Sequence, residues 1–584
     1  MESLRSKAFH WVWRMLDGIL FLSGIGAGGL LVVELSFHEP QPWLHTATTV
    51  ILLLFAGQEI ARVALVLSPW QYVRCHGFEL GLALLAGCGA LFQSFIQHGL
   101  HLALPWLAVE WIVLGYLIVT QSLVLGGLLI RAVQYHAMIG RVEVHPGLLL
   151  LGSFFLLSLL GTGLLLLPGA TVKGITLVDA FFTATSAVCV TGLTVVDPAK
   201  TFTFQGQLVL LGLIQLGGLG LMTFMSFFGM LFTGGLGVRE RLMLGEIFAV
   251  ENLAGVRRLL VQVVGLTLGV EFLGACLLYW SDGGGFPLEP QRAFYALFHA
   301  VSAFCNAGFS LYSDNLVTQQ HNAPYLSAIM LLIIIGGLGF PVLSALLGMR
   351  PWRRPTERLQ RRLPVAARLV LIATGILLVG GTALLWVLER RGVLGQFPLW
   401  EQWFQALFLA VVPRTAGFNS VSVAELSEPS ALVIVALMWI GASPASTGGG
   451  VKTLTVAVTL LGVVQLISGR GRVDVFHREI PPESVFKAFV AVVVSAAFLL
   501  GAAFVLQLLE FHQRWLDVLF ETASALGTVG LSRGITPELS TASKLLLCGV
   551  MMVGRVGVLT VLSLLLPAQP APRFRYPQEQ IVIT

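Results

Sequence analysis

Four short segments of this sequence share residue types and a spacing that could hold a cation through backbone oxygen atoms. Each segment starts at a Phe, continues through small residues to a Gly nine or ten positions later, and ends with Leu or Phe and a small polar residue. The glycines, which recur at intervals of 116, 109 and 113 residues, are Gly192, Gly308, Gly417 and Gly530. This recurrence indicates a fourfold internal repeat.

Each glycine follows an apolar run about half as long as a membrane-spanning helix. A bilayer core takes about 20 apolar residues per helix. The four short runs lie near 178–188, 291–303, 401–411 and 515–526. The full-length stretches lie near 16–36, 45–67, 77–97, 104–130, 147–168, 205–233, 259–280, 323–348, 365–388, 430–466, 488–509 and 543–566. The last eight flank the short runs, which predicts a unit of span, half-length helix, glycine loop and span, four times over.

Such a unit suits a monovalent cation. Irregular backbone is tolerated at membrane depth only where it lines a cavity or is buried in protein. A half-length helix directs the partial negative charge of its C-terminus toward the membrane centre, and four loops around one axis can form rings of carbonyl oxygens that replace an ion's hydration shell. Glycine allows the backbone conformations this needs. No Asp or Glu lies immediately beside the four glycines, which disfavours Ca²⁺ and Mg²⁺.

The composition places the chain in a membrane. Of 584 residues, 56% are hydrophobic and only 11% are charged, against about 25% charged in soluble domains. This excludes a soluble enzyme, a disordered regulator and a secreted disulfide scaffold. The prediction is an all-α polytopic membrane protein with four pseudo-repeated units around a central pore and an N-terminal extension of about four spans. The predicted domains are the extension 1–144, the four units 145–240, 241–350, 351–470 and 471–566, and a cytoplasmic tail 567–584.

The distribution of positive charge predicts the orientation. With the first 15 residues in the cytoplasm, most of the 35 Lys and Arg residues fall on the cytoplasmic side, as the positive-inside rule requires. Both termini are therefore predicted to be cytoplasmic, with lipid around the spans. The net charge of +5 is then a topology signal, and no nucleic-acid partner is predicted. Residues 16–36 are of full span length, so no cleavable signal peptide is expected.

A second constellation interrupts the long stretch 430–466. It contains Pro444, Gly448, Gly449 and Gly450, which cannot sustain a helix cheaply. The nearby Lys452 lies within a predicted span, as Arg555 does in the last one, and both should face the bundle interior. A fixed cation there would impede ions until it moved. Two alternatives remain open: Lys452 as a lysine that snorkels from a helix end, and Arg555 as the partner of a carboxylate.

The fourfold glycine loops resemble those of the pore subunits of the Trk/Ktr/HKT superfamily of potassium transporters, over roughly residues 145–566. The resemblance implies a single-chain potassium pathway. Its selectivity filter would comprise Val190, Thr191, Gly192, Asn306, Ala307, Gly308, Thr415, Ala416, Gly417, Thr528, Val529 and Gly530. In this superfamily, glycine at all four positions accompanies potassium selectivity, whereas serine in the first loop accompanies sodium transport. The resemblance also matches residues 444–452 to an intramembrane gating loop and Arg555 to the arginine of the last span.

The same resemblance implies partners and a location. It implies K⁺ as the transported ion with no cofactor in this chain, a homodimer, and a separate ring-forming, nucleotide-binding cytoplasmic subunit of the TrkA/KtrA type. It further implies a bacterial-type inner membrane. The arginine-rich connection 350–368 is a plausible docking surface for the regulatory subunit, although positive-inside bias explains most of its charge.

Several alternatives are weighed against this prediction. A sodium-permeable or sodium-coupled transporter would use the same scaffold. An intramembrane enzyme would need paired carboxylates, histidine clusters or a nucleophile with its base inside the spans, and a structural scaffold has no need of half-length helices; neither is favoured. Asn306 could hydrogen-bond a half-length helix, and Arg414 could anchor the third loop. The glycine pairs 217–218 and 336–337 are predicted to be helix-packing surfaces.

The N-terminal extension lies outside the repeat and outside the resemblance. Its predicted spans carry Glu59, Arg62, Glu79 and Glu110. Intramembrane charges are functional candidates by default, but these can also pair with one another. The extension is interpreted as a scaffold or interaction module.

Overall fold

The computed structural model describes residues 42–65, 146–232, 256–281, 289–348, 363–469 and 472–565, together with positions 15, 16, 18, 80, 81 and 84. Most of the N-terminal extension, including Glu79 and Glu110, and most of the connection 350–368 lie outside these residues. Within the extension, helix α1 spans Pro42–Leu65. It buries Gln58, Glu59 and Arg62, and the Arg62 Nε donates to the amide oxygen of Gln58 at 2.9 Å.

The repeated region is helical. Its helices are α2 Pro146–Leu165, α3 Leu177–Val188, α4 Pro198–Thr201, α5 Phe204–Phe232, α6 Val256–Ser281, α7 Glu289–Phe304, α8 Ala323–Leu338, α9 Phe340–Gly348, α10 Val365–Glu389, α11 Leu399–Val411, α12 Glu428–Trp439, α13 Thr453–Ile467, α14 Pro482–Leu509, α15 Trp515–Gly527, α16 Thr541–Val556 and α17 Val558–Leu565. Strands β1 Val473–Val475 and β2 Arg478–Ile480 form an antiparallel hairpin in the connection between α13 and α14. This hairpin is an addition to the predicted all-α plan.

The half-length helices α3, α7, α11 and α15 coincide with the four predicted short runs to within about two residues. The Phe shared by the four segments has become the anchor of each helix. These four rings, which are all completely buried, are Phe182, Phe298, Phe408 and Phe520. A buried aromatic ring is among the largest apolar contributions that one side chain can make, so each half-length helix is fixed into the common core that the four units share.

Several of the flanking helices are long and apolar enough to cross a membrane. Within the described residues, the windows Gln262–Ser281, Val365–Glu389 and Pro482–Leu509 meet this standard individually, and two bent helix pairs meet it jointly, giving up to five. Shorter apolar helices accompany them, among them Phe204–Leu219 and Thr453–Ile467. The prediction of a polytopic helical membrane protein is confirmed.

Two predicted continuous spans are broken, and that part of the prediction is wrong. The stretch 323–348 forms α8 and α9, bent by 100°, and the stretch 543–566 forms α16 and α17, bent by 99°. The bends lie at Gly339 and Gly557, whose φ angles are +80° and +100°. A right-handed helix cannot continue through such a residue, and glycine adopts it without the steric penalty of a side chain. By contrast, the break expected in 430–466 is present, between Trp439 and Thr453.

At one end of each unit, a hydrogen bond ties the end of the first span to the start of the second. The four pairs are Thr203 Oγ1 to the Gly169 carbonyl at 2.6 Å, Asn322 Nδ2 to the Ser281 carbonyl at 3.0 Å, the Ser427 N–H to Glu389 at 2.9 Å, and the Ser540 N–H to Glu510 at 2.7 Å. In the last two, a carboxylate satisfies a free N–H group at a helix N-terminus. All four units therefore share a hydrogen bond that links their two spans at this end, which we call the closure of the unit.

The Glu510 closure predicts a pH dependence of stability. Burial opposes the charged carboxylate, but hydrogen bonds from Ser543 and Ser540 outweigh it and hold the pKa of Glu510 below its ordinary value. The contribution of the charged Glu510 to the free energy of unfolding is therefore present above the ordinary carboxylate pKa. It is lost as the pH falls through the lowered pKa. We expect Glu510→Gln to lower the melting temperature of the purified protein by about 2 °C at pH 7. An equal decrease at pH 4 would contradict this.

Candidate cation site and the loop beside it

The four repeat glycines form a closed ring. A Cβ atom added at Gly192 would lie 3.1 Å from the Cα of Gly308, one at Gly308 would lie 2.9 Å from the Cα of Gly417, one at Gly417 would lie 3.1 Å from the Cα of Gly530, and one at Gly530 would lie 3.0 Å from the Cα of Gly192. Residues more than 100 positions apart along the chain therefore meet around one axis, in sequence order, and Gly308 and Gly530 are diagonally opposite.

Backbone oxygen atoms line the contacts between neighbouring segments. A side chain on any one of the four glycines would collide with the carbonyl oxygen that precedes the next glycine in the ring. The four oxygens belong to Thr191, Ala307, Ala416 and Val529. A glycine is therefore required at each position for two reasons: the space is taken by a carbonyl group, and all four glycines have φ between +69° and +93°. In that conformation an L side chain is strained.

The residue two positions before each glycine is also in the left-handed region. Val190, Asn306, Thr415 and Thr528 have φ of 57°, 60°, 79° and 51°. Left-handed backbone at a non-glycine residue costs about 1–3 kcal/mol and persists only where the surroundings impose it. The same two positions of each loop are thus left-handed, with one residue of negative φ between them.

Each half-length helix holds the loop that follows it. In three units a serine lies six residues before the glycine, and the carbonyl of that serine accepts from the N–H five residues later. These bonds run from Thr191, Ala307 and Val529 to Ser186, Ser302 and Ser524, at 2.8, 2.7 and 2.8 Å. The hydroxyls of Ser186 and Ser524 also accept from the N–H groups of Gly192 and Gly530 at 3.0 Å. The loop geometry is therefore set by the helix end.

The third unit reaches the same ring by a different route. Its spacing from Phe to Gly is one residue shorter, and the Ala416 N–H bonds to the Val412 carbonyl four residues back, at 2.9 Å. Because this loop is one residue shorter than the others, its hydrogen bond spans four residues instead of five. The neighbouring Arg414 is buried, and its guanidinium donates to Thr374 Oγ1 at 3.3 Å. This contact agrees with an anchoring role for Arg414 and places its charge behind the loop.

The unwound segment between α12 and α13 lies against residues that start two of the glycine loops. The Gly449 N–H donates to Thr528 Oγ1 at 3.0 Å, and a Cβ at Gly448 would collide with Thr415 Oγ1. Asn306 Nδ2 donates to the same Thr415 hydroxyl at 3.3 Å. Residues 440–452 therefore contact the first residue of two of the four glycine loops, Thr415 and Thr528. Pro444 lies apart from these contacts, with its carbonyl beside the bend at Gly339.

Two cationic side chains hold this segment. Lys452 Nζ donates to the Gly448 carbonyl at 2.6 Å, which directs it back along the loop rather than toward a membrane surface. Arg555 is buried, and its guanidinium donates to the carbonyls of Thr447 and, at 2.5 Å, Gly217. Its partners in the described part of the chain are thus backbone oxygens and not a carboxylate. Arg555 ties the loop of the third unit to the second span of the first.

Thr447 is a residue whose role the sequence did not reveal. Its hydroxyl donates to the Phe304 carbonyl at 3.2 Å, at the end of α7, and its own carbonyl accepts from Arg555. Thr447 therefore joins the arginine to a half-length helix. The sequence signal was weak because Thr447 reads as one more helix-breaking residue in a Ser/Gly-rich segment.

Glycines of the second spans make close approaches to the ends of half-length helices. A Cβ at Gly217, Gly336 or Gly554 would collide with the carbonyl oxygen of Val188, Phe304 or Leu526, respectively. These residues are thus packing surfaces, as predicted for the first two. They allow the second span of a unit to lie directly on the carbonyl end of its half-length helix, beside the ring.

This packing gives a matched pair of variants. Gly336→Ala forces a methyl group against backbone, which costs about 1–3 kcal/mol in a well-packed core. Gly375→Ala, within α10, meets nothing within 4 Å. We expect Gly336→Ala to lower the melting temperature and Gly375→Ala to leave it unchanged, as measured by thermal unfolding in detergent. Equal effects of the two variants would contradict the assigned close approach.

The fold and the site define a class of protein: a polytopic helical membrane protein whose half-length helices converge on a ring of backbone carbonyls. The family described as TrkH, cation transport protein, matches residues 145–574. Because this match covers well over half of the chain, the chain belongs to the TrkH family of cation transport proteins, which is a family of transporters and not of enzymes.

Curated relatives and a solved structure agree with this membership. The chain is 38% identical to Ktr system potassium uptake protein B of Vibrio alginolyticus over 443 residues, covering 75% of this chain and 94% of the relative. It is 36% identical to the protein of the same name from Bacillus subtilis, covering 77% and 99%. The crystal structure of the potassium transporter TrkH from Vibrio parahaemolyticus aligns with a TM-score of 0.60 at 18% identity, covering 77% and 91%. At that identity the structural likeness supports the fold alone.

Proposed function

We propose that this protein mediates potassium uptake across the membrane through the glycine ring. The observation that carries the proposal is the ring itself, in which each glycine faces the carbonyl oxygen that precedes the next glycine. Rings of backbone carbonyls can replace the hydration shell of an alkali cation. The ends of α3, α7, α11 and α15 converge on the same place, and their partial negative charges favour a cation there. The names of the relatives, potassium uptake proteins, support the choice of ion.

In this proposal the selectivity filter is formed by the three residues of each loop that end at the glycine. Three observations support it: the left-handed backbone at the first and third residues of every loop, the carbonyl of the middle residue beside the next glycine, and the absence of Asp and Glu from all twelve positions. A site without carboxylates suits a weakly hydrated monovalent ion better than a divalent one.

The unwound segment 444–452 is the proposed gate. It contacts Thr415 and Thr528 at the start of two filter loops, so an ion leaving the ring meets it next. Lys452 and Arg555 add positive charge there, which opposes a cation. The carbonyl hydrogen bonds of Arg555 supply the energy that would hold the gate closed, since a hydrogen bond to a charged group is worth about 1.5–3 kcal/mol.

The remaining elements of the proposal concern assembly and location. The words "Ktr system" in the names of the relatives denote a system, which supports a second, regulatory component; we propose a nucleotide-binding cytoplasmic subunit. The homodimer, the inner membrane and the cytoplasmic position of both termini are proposed on the resemblance and on the positive-inside distribution of Lys and Arg.

The direct test is expression of the full chain in a bacterial host that lacks its own potassium uptake systems. We expect growth at limiting potassium and uptake of rubidium, a potassium substitute, above that of the empty-vector host. Failure of both, with the protein present in the membrane fraction, would contradict the proposed function.

A sodium-coupled or sodium-permeable transporter is a second candidate. A relative from Enterococcus hirae, 34% identical over 461 residues and covered to 98%, is named potassium/sodium uptake protein NtpJ. The test is rubidium uptake with external sodium varied independently. Stimulation by sodium would favour coupling, competition by sodium would favour permeation through a shared filter, and indifference to sodium would favour the potassium-selective proposal.

A further inference from the structure

Two ionisable side chains occupy equivalent positions on the half-length helices of the second and fourth units. His299 and Glu521 each follow the buried anchor Phe of their half-length helix, and neither has exposed surface. Each bonds to the serine eleven residues later, which is the second residue after the filter glycine: Ser310 in the second unit and Ser532 in the fourth. Gly308 and Gly530 are opposite in the ring, so these two contacts are opposite as well.

Both serines stabilise the turn that leaves the filter. The Ser310 hydroxyl accepts from the Tyr312 N–H at 3.0 Å, and the Ser532 hydroxyl accepts from the Gly534 N–H at 2.9 Å. In each case the serine binds the N–H two residues further on, which is a turn that side-chain hydroxyls commonly stabilise. The half-length helix, the serine and the exit turn of the filter thus form one hydrogen-bonded unit.

The hydrogen bonds of His299 fix the state of its ring. Nδ1 lies 2.8 Å from the Tyr295 carbonyl, which can only accept, so Nδ1 carries the proton. Nε2 then accepts from the Leu311 N–H at 3.3 Å and lies 3.0 Å from the Ser310 hydroxyl. The imidazole therefore spans from its own helix to the first residues beyond the filter.

The contact at Ser310 continues to the neighbouring unit. The Ser310 Oγ also lies 2.9 Å from the Asn315 carbonyl, so its single proton is shared between this oxygen and His299 Nε2. Asn315 Nδ2 in turn approaches the Gly417 carbonyl at 3.5 Å. Asn315 Oδ1 also accepts from the Asn419 N–H at 3.4 Å. The network thereby runs from His299 to the filter glycine of the third unit. Displacement of the Ser310 turn would therefore shift the loops of both the second and the third units.

Glu521 makes the corresponding contacts with a carboxylate. It accepts from the Ser532 hydroxyl and, at 3.0 Å, from Thr536 Oγ1, whose hydroxyl also lies 2.9 Å from Ser532 Oγ. The Arg533 N–H donates to it as well, and the nearby charge of Asp517, on the same helix, is paired with the Arg533 guanidinium at 2.9 Å. The carboxylate is thus satisfied by two hydroxyl groups and one N–H group of the exit turn.

The other two units differ at the equivalent position. In the first unit Thr183 follows the anchor Phe, and its hydroxyl donates to the Asp179 carbonyl within its own helix at 2.8 Å. In the third unit the position is Leu409, and the Ser420 hydroxyl instead donates to the Gln405 side chain at 2.5 Å. An ionisable group bonded to the exit turn is therefore found at this position in the second and fourth units.

We propose that His299 and Glu521 are positioning residues for ion selection. They brace the turns in which the chain leaves the filter, on opposite sides of the ring, and so keep the carbonyls around Gly308 and Gly530 at fixed separation. This inference rests on the proposed function of the ring. Selection between two alkali cations depends on small differences in oxygen positions, so a loosened exit turn changes the preference between ions more than the amount of transport.

The test compares full-length variants by rubidium uptake and by the sodium concentration that halves it. Glu521→Leu and His299→Leu are expected to reduce the preference for rubidium over sodium about tenfold, the factor typical of losing a hydrogen bond to a charged or buried group. Glu521→Gln keeps an acceptor oxygen for Ser532 and is expected to retain most of the preference. Thr183→Val, which removes a hydroxyl at the equivalent position, is the matched control and is expected to behave as wild type.

The milder variants Ser532→Ala and Ser310→Ala make the test independent of any folding defect in the leucine variants. If Glu521 acts through Ser532, adding Ser532→Ala to Glu521→Leu causes no further loss of ion preference. Unchanged ion preference in both serine variants, or additive losses in the double variant, would overturn the brace. A wild-type protein that prefers sodium would overturn the potassium proposal instead, while the shift in preference between the two ions would still report on the brace.

Discussion

Gly192→Ser is expected to abolish most of the preference for potassium over sodium while the protein still inserts into the membrane. The added Cβ would collide with the Ala307 carbonyl oxygen, and φ at this position is +88°. The carbonyl must therefore rotate or move away from the axis, which breaks the oxygen ring at one of its four sides. A loss of 2–3 kcal/mol in differential ion binding, the scale of about one charge-assisted contact, corresponds to a reduction of about 30- to 150-fold in selectivity.

A serine elsewhere in the same unit provides the control. Gly212 lies within α5 and has nothing within 4 Å of an added Cβ, so Gly212→Ser introduces the same side chain without displacing a carbonyl. Competition between rubidium and sodium uptake is the measurement for both variants. Retained selectivity in Gly192→Ser, or an equal loss in Gly212→Ser, would contradict the assignment of this glycine to the filter.

Arg555→Ala is expected to increase the ion flux about tenfold or more without a change in selectivity. The guanidinium donates to the carbonyls of Thr447 and Gly217, and it is the connection between the unwound segment and the second span of the first unit. Its removal releases the segment from one side and takes away a positive charge next to the proposed ion path. Each lost hydrogen bond to a charged group is worth about 1.5–3 kcal/mol, so one such bond already accounts for the tenfold factor.

The conservative variant separates charge from connection. Arg555→Lys keeps the charge but cannot span two carbonyls with a planar group, so its flux should lie between those of wild type and Arg555→Ala. Rubidium efflux from vesicles that contain the purified protein measures flux, and competition by sodium measures selectivity. A changed selectivity with unchanged flux would remove Arg555 from the gate.

The repeated plan could be predicted from the sequence because it depends on local properties. Run length separates half-length helices from spans, and the anchor Phe and the glycine have a constant separation that any comparison of the four segments reveals. The bends at Gly339 and Gly557 could not be predicted in the same way. Glycine is common in membrane helices for close packing, and only contact with a neighbouring segment, such as the Pro444 carbonyl beside Gly339, decides which glycine leaves the helix.

The hydrogen-bond partners of individual side chains could not be predicted from the sequence either. That Lys452 and Arg555 face the interior follows from the cost of a charge in lipid, but their hydrogen bonds to carbonyls of Gly448, Thr447 and Gly217 depend on how an unwound segment folds back. The role of His299 and Glu521 could not be predicted from the sequence for a related reason. Each is one of several polar residues on a short helix, and its role is visible only when the turn that follows the proposed filter is placed beside it.

In the proposed function, the four glycine loops bind a dehydrated alkali cation on their common axis. The most direct measurement is anomalous diffraction from crystals of the full protein grown with rubidium. We expect anomalous density on the axis of the ring, within contact distance of the carbonyl oxygens of Thr191, Ala307, Ala416 and Val529. Rubidium density elsewhere in the molecule with none on this axis, at a resolution where the loops are clearly defined, would contradict it.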